Sequence, residues 1–77
     1  MKEILETIIK NLVEDEAKAT VTEKQEERSI TYEVKVEAED FGKVIGKQGR
    51  IAKSIRTVMK SIAAKEHKKV NVEFVEY

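Results

Sequence analysis

The chain has 77 residues, of which 40% are apolar and 39% are charged, so we expect residues 1–77 to form one small domain with one core. It has no cysteine, which excludes disulfides, thiolate metal sites and cysteine nucleophiles. Its first residues are too charged for a signal peptide, and no apolar run is long enough to span a membrane. We therefore expect a cytoplasmic protein.

The net charge of zero conceals a separation of charge along the chain. Residues 1–40 carry 6 Lys and Arg against 12 Asp and Glu, whereas residues 41–69 carry 9 against 1. A basic block inside a neutral chain indicates an anionic partner for one face of the protein. The two blocks can also attract each other within the fold, although exposed ion pairs stabilise a protein little.

The first half of the chain predicts one helix and two strands. Residues 2–15 form an amphipathic pattern that ends near the acidic run 14–16, because negative charge is unfavourable at a helix C-terminus. Its apolar stripe comprises Ile4, Leu5, Ile8, Ile9, Leu12 and Val13. Residues 19–26 predict a weak edge strand, joined by a hairpin to a strand over residues 29–37. The inward residues of that second strand are Ile30, Tyr32, Val34 and Val36.

The second half predicts two helices, over residues 39–45 and 49–66, and a last strand in which Val70, Val72 and Phe74 alternate. The helix pair is long enough for a crossover, so the second and third strands can pair in parallel. The element order is therefore α-β-β-α-α-β. This predicts an α+β fold in which the helices pack on one face of a three-stranded mixed sheet.

The glycines of VIGKQGRI lie between the two later helices, with Lys47 and Arg50 beside them. A Walker A loop has four residues between its glycines, but Gly42 and Gly46 are separated by three, and the Rossmann spacing also fails. The spacing that holds is Gly46-x-x-Gly49. Glycine lets another backbone approach closely, and a helix N-terminus with nearby cations favours a phosphate.

The stretch DFGKVIGKQGRIAKSIRT resembles the VIGxxGxxI signature of the KH domain, and the element order is that of its type II arrangement. The resemblance covers the whole chain, which is similar to the small stand-alone bacterial RNA-binding proteins of the KhpA type. One position departs from the family. Where KH domains usually have a bulky aliphatic residue, this chain has Ala52, which leaves open whether Ile51 or Ile55 fills that space.

The resemblance implies binding of single-stranded RNA at the Gly-x-x-Gly loop. The predicted RNA-binding residues are Val44, Ile45, Gly46, Lys47, Gln48, Gly49, Arg50 and Lys53. Either Val44 or Ile45 would form an apolar floor for bases. The resemblance further implies an RNA chaperone or post-transcriptional regulator that acts with a larger KH partner of the KhpB or Jag type. It also implies a link to cell-wall homeostasis and cell length.

Other residues give no sign of catalysis. No set of Ser, His and Asp and no acid pair falls on neighbouring predicted loops, and His67, the only histidine, suits a turn, so we expect neither an enzyme nor a metal or cofactor. Lys65, Lys68 and Lys69 cluster near the end of the long helix, where cations complement the helix dipole. Two alternatives stay open, a binder of single-stranded DNA and a protein-interaction module with a vestigial loop.

The apolar stripe of the long helix is wider than one sheet face requires. We assign Ala52, Ile55, Met59 and Ala63 to the sheet. The other side predicts a homodimer, or a dimer with the KH partner, through Ile51, Thr57, Val58 and Ser61. The alternative is that all seven apolar residues of the stripe, which also include Ile62, belong to the core.

Overall fold

The computed structural model describes residues 1–13 and 16–77, so Glu14 and Asp15 of the acidic run lie outside the described residues. The elements are α1 (Lys2–Leu12), a 3₁₀ turn (Glu16–Lys18), β1 (Thr20–Gln25), β2 (Ser29–Val36), α2 (Ala38–Ile45), a second 3₁₀ turn (Lys47–Gly49), α3 (Arg50–Lys65) and β3 (Lys69–Glu76). The predicted α+β class and element order are confirmed. The 3₁₀ turn after α1 was not predicted.

The three strands form one mixed sheet in the order β1-β2-β3. β1 pairs antiparallel with β2, and β2 pairs parallel with β3, with Ile30 opposite Val70 and Tyr32 opposite Val72. The edge position of β1 and the parallel crossover are therefore confirmed. The crossover places the loop between α2 and α3 within the connection from β2 to β3.

The helices pack on the face of the sheet that carries the alternating apolar residues. The fully buried large side chains are Leu5, Ile9, Tyr32, Val34, Val36, Val44 and Met59. Ile4 does not join them, because it lies at the edge of the α1 stripe and is 44% exposed. Within residues 1–13 and 16–77, no helix is both long and apolar enough to cross a bilayer.

The long helix α3 divides its apolar residues between the sheet and the surface. Ala52, Ile55, Met59 and Ala63 are buried, as predicted for the sheet side. Val58 is 44% exposed, so the alternative that all seven stripe residues are core is wrong at this position. The helix ends in a turn at His67, which has φ +57°, and the Lys68 amide donates to the Ala63 carbonyl oxygen.

Candidate nucleic-acid interface

Gly46 ends α2 with a backbone conformation that other residues rarely adopt. Its φ of 77° and ψ of 175° fall in a region that is essentially restricted to glycine. A Cβ atom at this position would lie 2.5 Å from Cγ1 of Ile51, well inside van der Waals contact. Two independent features therefore require glycine at position 46, namely the backbone angles and the close approach of the Ile51 side chain.

Gly49 is the residue immediately before α3, and its φ of 75° and ψ of 13° are left-handed. A Cβ atom added to Gly49 would meet no other atom within 4 Å. Gln48, at φ 57° and ψ 25°, is also left-handed, and the Gly49 amide donates to the Gly46 carbonyl oxygen at 3.1 Å. The loop is a tight turn, and at Gly49 no side chain covers its open side.

The start of α3 has the features of an anion site. No side chain caps it, and its first turn contains no acidic residue. Uncapped N–H groups at a helix start, together with the helix dipole, favour a phosphate. Lys47 and Arg50 are exposed beside this helix start, and Nη2 of Arg50 donates to Oε1 of Gln48 at 3.4 Å. The Arg50 N–H group donates to the Lys47 carbonyl oxygen, so positive charge and a helix start without a side-chain cap occur together from Ile51 onwards.

The two apolar residues before the loop differ in accessibility. Val44 is fully buried among the core side chains, whereas Ile45 is half-buried at the margin of the core. A base cannot reach a side chain with no exposed surface. Of the two residues predicted as the apolar floor for bases, Ile45 is therefore the one that remains a candidate. Val44 instead anchors the end of α2 to the core.

Lys53 and Arg56 continue the positive charge along α3, and both side chains are exposed. Arg56 also fixes the helix to the sheet, because its Nε donates to the Val72 carbonyl oxygen at 3.1 Å. Its guanidinium carbon lies 5.2 Å from the centre of the Phe74 ring, within the range of a cation–π contact. The spacing of basic residues on α3 could be predicted from the sequence, but the contact of Arg56 with β3 could not, because it depends on how α3 packs on the sheet.

The family model described as "KhpA/KhpB, KH domain" matches residues 2–74. The chain belongs to this KH-domain family. A protein of Clostridium acetobutylicum named RNA-binding protein KhpA is 57% identical to it over 75 residues, which are 97% of this chain and 100% of the relative. Proteins of the same name from Caldanaerobacter subterraneus subsp. tengcongensis and Listeria monocytogenes are 51% and 42% identical, each over at least 97% of this chain and 100% of the relative. No solved structure matches the chain.

The departure from the KH signature at Ala52 has a structural answer. Ala52 is buried, and Ile55 belongs to the core cluster. Ile51 packs against the margin of that cluster, and its side chain also covers Gly46. Both isoleucines therefore contribute apolar packing on this side of α3.

Proposed function

We propose that this protein binds single-stranded RNA through the surface formed by the Gly46–Gly49 loop and the first turns of α3. The observation that carries the proposal is the uncapped, acid-free start of α3 behind two glycines with positive φ. The names of the relatives support RNA as the nucleic acid. RNA-binding KH domains hold about four nucleotides at such a loop.

The binding mechanism follows from the chemistry of the loop. The RNA backbone would pass over Gly49, where no side chain prevents close approach, and a phosphate would accept hydrogen bonds from the first N–H groups of α3. Lys47, Arg50 and Lys53 would add charge attraction, and Gln48 would contribute uncharged hydrogen bonds. Bases would rest on Ile45. Because most of these contacts go to the backbone, recognition would tolerate many sequences.

A test of the loop is the double change Lys47→Asp with Gln48→Asp. We expect loss of RNA binding with the fold intact, because both side chains are exposed and two carboxylates would repel a phosphate. The measurements are circular dichroism and titration with a fluorescent uridine tetramer. The matched control is Lys24→Asp with Gln25→Asp on β1, which changes the same two residue types at another exposed pair. Unchanged affinity in the folded loop variant would remove the loop from the site.

The same titration separates RNA from DNA. Only RNA carries the 2′-hydroxyl, which acts as donor and acceptor at a site that distinguishes the two polymers. We expect the uridine tetramer to bind more tightly than its deoxyuridine counterpart. Equal or tighter binding of the DNA would favour the alternative of a single-stranded DNA binder.

The cellular role that fits this site is that of a non-enzymatic cytoplasmic RNA chaperone or post-transcriptional regulator, with residues 1–77 acting as one domain. We propose that it acts with a larger KH protein of the KhpB or Jag type and contributes to cell-wall homeostasis and cell length. The family model, whose description names both KhpA and KhpB, supports the choice of this kind of partner.

A protein-protein contact through α3 is a second proposed function. Val58 is the exposed large apolar residue of α3, and the neighbouring Thr57 and Ser61 are exposed and small enough for another helix to approach. Ile51 is half-buried at the end of the same flank. This surface supports a homodimer or a heterodimer with the KH partner, and pairing would give a second RNA groove and greater avidity.

A further inference from the structure

A cavity of about 350 Å³ lies on the helix-covered face of the sheet, where α1 begins and α3 ends. Its walls come from the first residues of α1, from β1 and β2, and from the turn after α3. Among the described residues, none of the Gly46–Gly49 loop and none of β3 lines it. The cavity has the size of a small-molecule site and is separate from the proposed RNA-binding surface.

The hydroxyl group of Tyr32 is a polar group without a partner at this cavity. Tyr32 lines the cavity and is 0% exposed. Its hydroxyl makes no hydrogen bond within the part of the chain that the structure describes. A buried hydroxyl without a partner lowers stability, and phenylalanine would fill the same place without that cost. The hydroxyl therefore indicates a polar ligand that completes its hydrogen bonding.

Three carboxylates from three different parts of the fold line the same cavity. Glu3 lies in the first turn of α1, and Glu66 follows the last residue of α3. Glu23 of β1 lies directly opposite Tyr32 of β2 in the strand pairing. Burial raises the pKa of Tyr32, and the negative charges of Glu23, Glu3 and Glu66 raise it further. The hydroxyl is therefore surrounded by negative charge.

The carboxylates differ in how far the protein itself neutralises them. Glu3 accepts a hydrogen bond from the N-terminal ammonium group at 3.4 Å. Glu23 and Glu66 form no ion pair within the described residues, although Lys2 and Lys68 also line the cavity. Lysine ammonium groups stay hydrated at the ends of flexible chains. A ligand with its own positive charge can therefore occupy the space next to Glu23 and Glu66.

We propose that this cavity binds a linear aliphatic polyamine, whose ammonium groups pair with Glu23 and Glu66 and donate a hydrogen bond to the Tyr32 hydroxyl oxygen. An ammonium group has three donors, so one group can serve a carboxylate and the phenol oxygen together. The methylene groups between the ammonium groups would lie against the apolar side chain of Ile30, which is part of the lining. The proposal does not depend on RNA binding.

A single metal ion does not suit these carboxylates. The described residues contain no group of three or more His, Cys, Asp or Glu side chains that could hold a metal ion. The three carboxylates of the cavity are therefore too far apart to surround one cation. A polyamine carries several charges separated by methylene groups, and this spacing matches carboxylates that come from separate elements.

The test is isothermal titration calorimetry of the untagged chain with spermidine, in the absence of RNA because polyamines also bind RNA phosphates. We expect one saturable site. Tyr32→Phe should weaken binding about fivefold, since it removes one hydrogen bond and keeps the ring. Glu23→Gln with Glu66→Gln should weaken it about tenfold or more, because charge-assisted hydrogen bonds become neutral ones. Both glutamates are exposed, so these variants should stay folded by circular dichroism. The control Glu33→Gln with Glu73→Gln removes the same charge from the opposite face of the sheet and should leave the affinity unchanged.

Other amines test the match between the ligand and the separated carboxylates. Butylamine, with a single ammonium group, should bind at least about tenfold more weakly than spermidine, because it can pair with one carboxylate at a time. Equal affinities for the two amines would contradict the proposal. It would also be wrong if wild type gave no saturable binding, if Tyr32→Phe bound spermidine as wild type does, or if the control variant lost as much affinity as the Glu23/Glu66 variant. A tetralysine peptide that bound more tightly than spermidine would assign the cavity to a basic peptide instead.

Discussion

Gly46 and Gly49 share one short motif but make different demands on the chain. Gly46 combines a glycine-restricted backbone conformation with a Cβ position that lies 2.5 Å from the Ile51 side chain. Gly49 has left-handed angles that Asn and Asp also adopt, and its Cβ position is open. The first glycine is therefore required by the fold of the loop, whereas the second leaves an open surface that suits the close approach of RNA that we propose.

The two glycines should differ when each is changed to alanine. We expect Gly46→Ala to lower the free energy of unfolding by about 3 kcal/mol, since backbone strain and overlap with Ile51 add. Gly49→Ala should cost about 1 kcal/mol, the strain of a left-handed alanine. Urea unfolding followed by circular dichroism measures both. Adding Ile51→Ala to the Gly46→Ala variant should recover part of the lost free energy of unfolding, because it removes the overlapping side chain. Equal losses for Gly46→Ala and Gly49→Ala would show that the loop relaxes around the new methyl group at position 46.

Tyr32 has a hydroxyl group that is fully buried without a hydrogen-bond partner in the described part of the structure. Tyr32→Phe removes this group and keeps the ring, so we expect the free energy of unfolding to rise by about 1 kcal/mol at neutral pH. Urea unfolding of the two proteins checks it. A clear loss of stability in the variant would indicate that the hydroxyl is hydrogen-bonded in solution.

The same hydroxyl makes stability depend on alkaline pH. Burial raises the pKa of Tyr32 above its ordinary value of 10.0, and the negative charge of Glu23 on β1 raises it further. The folded state thus keeps a proton that the unfolded state loses near pH 10. The stability of wild type relative to Tyr32→Phe is therefore fully kept below pH 10 and declines as the pH rises above it. Wild type should lose up to about 1.4 kcal/mol per pH unit relative to Tyr32→Phe in that range. If the difference in the free energy of unfolding between the two proteins stayed the same at every pH, Tyr32 would not be the group responsible.

At the scale of elements, periodicity in the sequence was enough to predict the three α-helices and three strands of the described residues, though not the 3₁₀ turns. The alternation of Ile30, Tyr32, Val34 and Val36 places one face of β2 in the core, and the structure buries all four. The loop could be predicted because its glycines and cations are adjacent in sequence. The contact of Arg56 with Val72 and the burial of Val44 could not, because they depend on how α3 and α2 rest on the sheet.

The helix α3 presents different chemistry on its three sides. Its buried side faces the sheet, one flank carries Lys53, Arg56 and Lys60, and the opposite flank carries Val58. Burial of Val58 in a dimer would leave the basic flank free. The proposed RNA site and the proposed partner surface would therefore not compete for the same side of α3.

The variant Val58→Asp tests the proposed dimer. Because Val58 is 44% exposed, a carboxylate there stays hydrated, and the domain should remain folded with a cost below about 1 kcal/mol. In a dimer the same carboxylate would be buried without a partner, so the variant should sediment as a monomer in analytical ultracentrifugation. Thr22→Asp, at an exposed position of β1 on the sheet face opposite the helices, is the control. Wild-type protein that sediments as a monomer at high concentration would exclude the homodimer.

At the scale of the whole molecule, the charges of the two halves of the chain nearly cancel. The acidic residues 1–40 and the basic residues 41–69 leave the whole chain with no net charge, so long-range attraction to RNA would be weak, and binding at the proposed site would depend on the local field of the loop and α3. Only a few phosphates of a tetramer can be neutralised there. Binding of a tetramer by one domain should therefore be weak and strongly dependent on salt.

Three or four neutralised phosphates correspond to a slope of about −2 to −3 in log affinity against log salt for a single strand. A fourfold rise in salt should then weaken binding of the uridine tetramer roughly 20- to 60-fold. A duplex should compete poorly, because its bases are paired and cannot lie on Ile45 beside the loop. Fluorescence titrations across salt concentrations, with single-stranded and duplex competitors of one sequence, measure both properties. Affinity that is flat with salt, or a duplex that competes better than the single strand, would contradict a groove built from the loop and the start of α3.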